Sequence, residues 1–310
     1  MNRLNRFILS FSIVVALTCF LPVLPTHSLP VIDTQVTARD FFKVGVEKIL
    51  HGNYQQAIKD LTQAIQINAD FDTAYSNRCL GYLELQDYHN AIADCTQVIN
   101  LAPNNAQAYL NRGLAHYRLG DYRAAIADNN EAIRLKHYDF RAYYNRGIAS
   151  AGIGNYSDAI ADYNRALSVI PQHLLPQLAD IYNDRGLARF ALADTQAAML
   201  DFRMAIRLNA NDYRAYFNRG CACIKIGDEL GAVSDFTDSL RLNPSHGQAY
   251  FNRGITFYQL GYEQAAIWDL QKAAEDFEHK GEKVAYVKTL ELIKVMRKQI
   301  SSKSEIALAF

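Results

Sequence analysis

The sequence has few helix-breaking residues and no excess of charge of either sign. Its 310 residues include only 7 prolines and 16 glycines, so helix is the default expectation for most of the chain. Lys plus Arg and Asp plus Glu both number 32. This balance argues against the strong phosphate attraction on which nucleic-acid binding depends. We therefore expect no nucleic-acid partner.

The sequence also lacks the common signatures of catalysis and metal binding. It contains no His-Glu-x-x-His, no phosphate-binding glycine-rich loop followed by Lys-Ser/Thr, and no Gly-x-Ser-x-Gly. Its 8 histidines are scattered without metal-ligand spacing. Cys221 and Cys223 are two residues apart on a predicted helix, so their side chains point in different directions. We expect no enzymatic activity, no metal and no cofactor.

A long hydrophobic run occurs only at the N-terminus. Arg3 and Arg6 precede a mostly apolar run, Phe7–Leu21, and prolines follow it. This order is typical of a secretory signal, and the run is short for a spanning helix, which needs roughly 20 apolar residues. The sequence predicts a signal peptide or membrane anchor over 1–28 and a linker over 29–37. Cleavage and retention both remain open, and a buried N-terminal helix is the alternative to either.

That segment predicts where the protein is located. We expect it to be exported, to a periplasm or lumen, or anchored to a membrane through residues 7–21. The N-terminal segment would then contact a membrane or the export machinery.

The rest of the chain repeats itself. The pattern Ala-Tyr-x-Asn-Arg ends at Arg78, Arg112, Arg146, Arg219 and Arg253, and a variant of it ends at Arg185. These arginines are 34, 34, 39, 34 and 34 residues apart, and a weaker copy of the pattern begins near Ala38. The series predicts seven repeat units, over 38–71, 72–105, 106–139, 140–178, 179–212, 213–246 and 247–280.

Each unit has the pattern of two helices joined by a turn. The first helix carries Tyr and, four residues later, Gly, as at Tyr109 and Gly113. A turn such as Gly120-Asp121 follows, and the second helix carries Ala at a constant place, as at Ala125. After Gly281 the chain is amphipathic, which predicts a capping helix over 281–300 and a flexible tail over 301–310.

This arrangement of aromatic, glycine and alanine residues, with prolines closing three units, resembles the tetratricopeptide repeat (TPR). The Asn-Arg-Gly motif resembles that of bacterial, cyanobacterial-type arrays. The resemblance covers about residues 38–280. It implies an all-α fold, a right-handed superhelical α-solenoid, because one hairpin cannot bury its own apolar face and neighbours must stack. It also implies that first-helix residues line a concave groove that binds a partner protein or peptide.

Charged residues recur with the same period. The aspartates are Asp60, Asp94, Asp128, Asp162, Asp201, Asp235 and Asp269, and six units carry the arginines Arg78, Arg112, Arg146, Arg185, Arg219 and Arg253. A buried arginine must be paired, so we interpret the two sets as structural ion pairs. Each arginine could pair within its unit or with the preceding unit. We favour the preceding unit, which leaves Asp269 for Lys283 or Lys288. Binding of an acidic ligand by the arginines is the alternative.

Mapped onto the resemblance, two rows of first-helix side chains face the groove. The predicted contact residues are Phe42, Asn77, Leu110, Asn111, Tyr144, Asn145, Phe217, Asn218, Phe251 and Asn252. A row of amides could bind the backbone of an extended peptide, and aromatic rings could supply apolar pockets. Alternatively, the asparagines belong to the repeat subtype and satisfy neighbouring helices. The family's carboxylate clamp is not expected, because its Lys and Asn pattern is missing.

The function expected from these features is a non-catalytic scaffold or assembly chaperone for partner proteins, exported or membrane-tethered. A glycan- or polymer-binding solenoid of the cell envelope is the alternative. Two further features stay open. Cys79 and Cys95 could form a disulfide or remain buried thiols. The five extra residues around Pro171 and Pro176 could form a stiff linker that divides the array or a tolerated loop insertion. The sequence predicts no oligomeric state.

Overall fold

The computed structural model describes residues 36–308, with side-chain surroundings through residue 300. The predicted targeting segment, 1–28, lies outside this range. Within it the chain forms fifteen α-helices: α1 (Ala38–Leu50), α2 (Tyr54–Ile67), α3 (Asp72–Glu84), α4 (Tyr88–Leu101), α5 (Ala106–Arg118), α6 (Tyr122–Leu135), α7 (Phe140–Gly152), α8 (Tyr156–Val169), α9 (Leu175–Ala191), α10 (Thr195–Leu208), α11 (Tyr213–Ile226), α12 (Glu229–Leu242), α13 (Gly247–Gln259), α14 (Glu263–His279) and α15 (Lys283–Leu308). None of these described helices is long and apolar enough to span a bilayer.

The helices form seven pairs and one further helix. Each odd-numbered helix from α1 to α13 packs against the even-numbered helix that follows it, and α15 packs against α14. Each second helix also contacts the first helix of the next unit. Contacts between sequence neighbours of this kind build a solenoid. The predicted all-α repeat fold with a cap is confirmed.

The turn inside each unit has one residue with positive φ, which is glycine in five of the seven units, and in four units an aspartate then caps the second helix. Gly227 ends α11 with a φ of +78°, a left-handed conformation that costs glycine little. The next residue, Asp228, accepts a hydrogen bond from the backbone N–H of Gly231 and so caps α12. Gly120 and Asp121 do the same between α5 and α6. These residues reverse the chain, so the second helix folds back onto the first.

A small residue on the first helix lets the second helix approach closely. A Cβ atom added at Gly147 would lie 2.7 Å from the ring of Tyr163, so only glycine fits there. Glycine meets a ring in the same way at Gly186–Phe202 and Gly220–Phe236. In all these pairs the two residues are 16 apart, so this spacing defines which residues of a unit face each other.

In the second unit, cysteines occupy this pair of positions. Cys79 and Cys95 form a disulfide with a Cα–Cα distance of 5.7 Å, and both residues are fully buried. Of the two possibilities left open by the sequence, the structure has the disulfide. It joins the two helices of the unit where glycine and a ring meet in other units.

The arginines and aspartates pair within each unit, so the predicted pairing with the preceding unit is wrong. The contacts are Arg78–Asp94 at 2.7 Å, Arg112–Asp128 at 2.7 Å, Arg146–Asp162 at 2.6 Å, Arg185–Asp201 at 2.6 Å, Arg219–Asp235 at 2.6 Å and Arg253–Asp269 at 2.7 Å. The reason is geometric. Positions 79 and 95 face each other, so positions 78 and 94, one residue earlier, do so as well.

We call this series of ion pairs the ion-pair ladder, and its two ends also pair within their own units. Asp269 pairs with Arg253, not with Lys283 or Lys288 of the cap. In the first unit Val44 takes the arginine position, and Lys48, one turn later, binds Asp60 at 2.5 Å. Each aspartate of the series therefore has a cation from its own unit.

For five of the six arginines the preceding unit still contributes a hydrogen-bond acceptor through a different residue. The third guanidinium nitrogen of Arg78 donates to Thr62, and that of Arg146 donates to Asn130. These acceptors lie two residues after the aspartate of the preceding unit. The guanidinium also lies over the tyrosine three residues before it, 5.2 Å from the ring centroid of Tyr182 in the case of Arg185. One arginine thus joins both helices of its unit and the unit before.

The predicted junction and cap differ in detail from the structure. The extra residues near Pro176 lengthen α9 to 17 residues, against 13 in α7, so they add helix instead of a long linker. Proline is tolerated there because it lies in the first turn. Helix α15 continues to Leu308, eight residues beyond the predicted end of the cap at residue 300.

The ion-pair ladder makes a testable prediction. Arg146→Leu leaves the buried Asp162 carboxylate without its cation and should lower the free energy of unfolding by about 3 kcal/mol. Arg146→Leu combined with Asp162→Leu should lose less than half as much, because no unpaired charge remains. Urea unfolding followed by circular dichroism measures both. The control is Arg146→Leu with Asp128→Leu, in which the aspartate removed is the partner of Arg112 and not of Arg146. This variant should lose more unfolding free energy than Arg146→Leu alone. Equal losses in both double variants would contradict the pairing.

Candidate functional site

The first helices of successive units contact one another along one side of the stack. These contacts join α1 to α3, α3 to α5, α5 to α7, α7 to α9, α9 to α11 and α11 to α13. We call the surface formed by these seven helices the first-helix face. All ten predicted contact residues belong to these helices, although not every side chain reaches the surface.

The asparagines of this face are half-buried and retain hydrogen-bonding capacity. The Asn145 side chain makes no hydrogen bond to any described residue. Asn111 only accepts a hydrogen bond, from Gln107, so both of its N–H groups are unused. Asn77 only donates, to the carbonyl of Thr73. The amides are therefore not fully satisfied by neighbouring helices.

The last two asparagines are more engaged. The Asn218 amide donates to the side-chain oxygen of Asn183 at 2.9 Å. Asn252 accepts from Gln248 and donates to the Cys221 sulfur at 3.5 Å, a weak acceptor. The side-chain oxygen of Asn218 and the weakly bonded amide N–H of Asn252 remain available for a ligand.

The aromatic row is more deeply placed than the sequence suggested. Phe217 is half-buried and contacts the rings of Phe236 and His246, with centroid distances of 5.8 and 4.6 Å. Phe251 packs against Phe277, and Phe42 against Phe71. These side chains contact the second helix or a turn, so each ring is only partly available to a ligand. Leu110 is 5% exposed and belongs to the core, so it cannot contact a partner.

Three cavities lie along the first-helix face. One of about 660 Å³ is lined by Phe251, Gln248 and the start of α15. A second of about 260 Å³ lies between α11 and α13 and includes Asn252 and Ile255. The third, of about 460 Å³, lies among α5, α7, α8 and α9. Cavities of this size accommodate amino-acid side chains, so the face has depressions at several repeats.

A polar cluster in the third cavity was not singled out from the sequence. The Tyr144 hydroxyl donates to the Asp184 carboxylate at 2.7 Å, which joins two units across 40 residues. Asp184 stands where the other units have the row asparagine, and this substitution is the signal that could have revealed the cluster. Tyr144 is therefore a hydrogen-bonded part of the cluster and not a freely exposed ring.

Electrostatics distinguish this cluster from the ion-pair ladder. Burial raises the pKa of Asp184, and the hydrogen bond from Tyr144 opposes that rise. Burial and then the charge of Asp184 raise the pKa values of Tyr117, Tyr144 and Tyr163. All three tyrosines are neutral at physiological pH. The carboxylate thus sits among neutral hydroxyls and rings.

The described residues contain no group of three or more His, Cys, Asp or Glu that could hold a metal ion. Cys221 and Cys223 are free thiols, and burial raises the pKa of each to about 11. Both are thus protonated and weakly nucleophilic near neutral pH.

Comparison with known proteins gives the same repeat along much of the chain. Residues 80–120 match a family described as TPR repeat, and residues 106–137, 140–173 and 224–279 match families described as tetratricopeptide repeat. A search of curated proteins finds no match.

Solved structures share the fold at low sequence identity. A tetratricopeptide repeat protein from Parabacteroides merdae has a TM-score of 0.64 and 17% sequence identity, over 82% of this chain and 98% of that one. PilW, described as a widely conserved type IV pilus biogenesis factor, has a TM-score of 0.59 and 18% identity over 68% of this chain and 96% of that one. The APC/C hetero-tetramer Cut9–Hcn1 has a TM-score of 0.62 and 18% identity over 71% of this chain. This chain spans only 43% of that chain's length.

At these identities the likeness concerns the fold. The seven stacked hairpins and the repeat matches lead to one conclusion: this chain is a tetratricopeptide repeat protein, a member of a family of protein-interaction scaffolds that are typically non-catalytic.

Proposed function

We propose that this protein is an exported or membrane-tethered scaffold or assembly chaperone whose first-helix face forms a concave groove that holds an extended segment of a partner protein. The observation that carries the proposal is the row of asparagines with unused donors and acceptors. A peptide backbone offers an N–H and a carbonyl at each residue, and amides can bind both without reading the sequence. Asn111 and Asn145 are best placed to do so.

The cavities along the same face support this binding mode. Asn252 of the row lines one of them, so side chains of the partner could enter the cavities while its backbone follows the row. A glycan-binding groove is less well supported, because stacking on sugars needs exposed rings. Phe217 and Phe251 are half-buried, and their rings contact Phe236, His246 and Phe277.

The disulfide supports the proposed compartment. Disulfides persist in oxidising environments such as the periplasm, and they are rare in reducing ones. Cys79–Cys95 thus agrees with export directed by residues 1–28. PilW, which shares the fold, is a type IV pilus biogenesis factor by its description, and we therefore include assembly in the cell envelope among the processes to test.

The groove can be tested by capture of partners. Asn111→Ala, Asn145→Ala and Asn218→Ala in one chain remove three row amides without disturbing an ion pair. Proteins that co-purify with the wild type from native cells, identified by mass spectrometry, should fall at least about tenfold with this variant, since each lost hydrogen bond contributes about 1 kcal/mol.

The matched control removes three amides elsewhere. Gln63, Asn100 and Gln271 are exposed on second helices, and Gln63→Ala, Asn100→Ala and Gln271→Ala together should leave capture unchanged. If both triple variants retrieve the same partners as the wild type, the groove is not the binding site. The circular dichroism spectrum of each variant confirms that the fold is kept.

Thiol trapping tests the compartment. Cells are quenched in acid, and the protein is denatured and alkylated without reductant. We expect alkylation of Cys221 and Cys223, which are free, and none of Cys79 and Cys95. The two free thiols are the internal control for complete reaction. Alkylated Cys79 and Cys95 would indicate a reducing compartment and would contradict export.

A further inference from the structure

We propose that the cavity of about 460 Å³ among α5, α7, α8 and α9 is a subsite for a cationic side chain, lysine or arginine, of the segment held in the groove. We call it the Asp184 pocket. It is lined by Asp184, three tyrosines, a phenylalanine and aliphatic groups that include Ile148 and Leu187. The inference rests on the proposed function and specifies the chemistry of one of its contacts.

The Asp184 carboxylate has no cation of its own. It accepts hydrogen bonds from the Tyr144 hydroxyl at 2.7 Å and from the Asn183 amide at 3.4 Å, both neutral groups. No lysine, arginine or histidine of the described chain lies within ion-pair distance of it. Every aspartate of the ladder, by contrast, has a direct ion pair. Asp184 is therefore a half-buried carboxyl group without an ion-pair partner in the described chain.

The nearest cation is already engaged. Arg214 attracts Asp184 from a distance, but its guanidinium binds Asp180 at 2.6 Å and Asp212 at 2.9 Å. Two carboxylates thus share that arginine before Asp184 is counted. A cation supplied by a partner would compensate a charge that burial disfavours.

Aromatic rings complete the binding chemistry. Tyr117 and Tyr156 are half-buried and line the pocket beside Asp184, with Tyr163 and Phe190 around them. An ammonium or guanidinium group is attracted to such ring faces and also to the carboxylate. Seven other tyrosines of the described chain already lie beneath the ladder arginines. The pocket tyrosines have no such cation over them in the described chain.

The shape of the lining fits a long cationic side chain. Ile148 and the 42% exposed Leu187 offer apolar contact to an aliphatic stem, while Asp184 and the rings receive the charged end. An anionic side chain would be repelled by Asp184. A purely apolar side chain would leave the carboxylate buried without compensation.

The pocket can be probed directly by NMR on the full chain with labelled isoleucine and leucine methyl groups. The probes are N-acetyl-lysine N-methylamide and its uncharged analogue N-acetyl-norleucine N-methylamide. Titration with the lysine probe should shift the methyl signals of Ile148 and Leu187 in a saturable way. The norleucine probe should bind about tenfold more weakly, since cation–π and charge attraction are lost.

Asp184→Asn is the decisive variant. Asparagine occupies this position in five other units and can still accept the Tyr144 hydrogen bond, so the fold should be kept. Its affinity for the lysine probe should fall about tenfold, to that of the norleucine probe. Asp238→Asn removes the same charge at a distant, half-exposed site on α12 and should leave binding unchanged.

The outcomes separate this inference from the proposed function. Equal binding of the two probes, no methyl shifts with the lysine probe, or equal affinity of Asp184→Asn and wild type would each overturn the subsite. If partner capture by the row asparagines persists in any of those cases, the scaffold function stands without it. If the lysine probe binds as expected while the asparagine variant captures partners as wild type does, the pocket stands and the proposed groove falls.

Discussion

The close contact between residues 16 positions apart determines how each unit is built. A glycine on the first helix receives a ring from the second at Gly147–Tyr163, and a wider residue would push the helices apart. Once this contact is made, the adjacent positions are aligned too. Arg146 then faces Asp162, and in the second unit the same alignment brings Cys79 to Cys95. Packing, ion pairing and covalent linkage therefore share one geometric origin.

The same alignment leaves part of each arginine for the neighbouring unit. In most units the third nitrogen binds a threonine or asparagine of the unit before, as Arg253 binds Thr237. In the sixth unit Arg203 stands at the acceptor position, and Arg219 bonds only to Asp235. Partly buried ion pairs add little net stability but are demanding in geometry. The ion pairs therefore orient the two helices of one unit, and the bond from the third nitrogen links that unit to the one before.

The fold uses its periodic charged residues for its own contacts and leaves hydrogen-bonding groups of the first-helix face without partners. The ladder residues form ion pairs and the turn aspartates cap helices, whereas the Asn145 side chain and the Asn111 amide N–H groups have no partner among the described residues. At the fifth unit one change, asparagine to Asp184, converts an amide of the row into a carboxylate. Neighbouring tyrosines then surround that charge without neutralising it. A regular surface thus acquires one position with a distinct chemical preference.

Much of the fold could be predicted because repetition multiplies a weak pattern into a strong one. The period, the glycine and alanine positions and the turn residues predicted seven hairpins and a cap, since each residue type has a local cause. The site was less predictable. Whether Leu110 faces a ligand or the core, and how much of the Phe217 ring stays exposed, depends on which side chains of other helices fill the space beside them.

Pairing and charge balance also needed the tertiary structure. Separations of 16 and 18 residues are both compatible with a repeating sequence, and only the packing of two helices decides that Arg78 meets Asp94. Asp184 looks in the sequence like a minor variant of a row asparagine. Its distinct environment comes from the hydrogen bond of Tyr144, 40 residues earlier, and from the absence of a nearby unpaired cation in the described chain. The sequence by itself determined the repeat and its helices, because these depend on local spacing, whereas contacts between distant residues decided the pairs and the pocket.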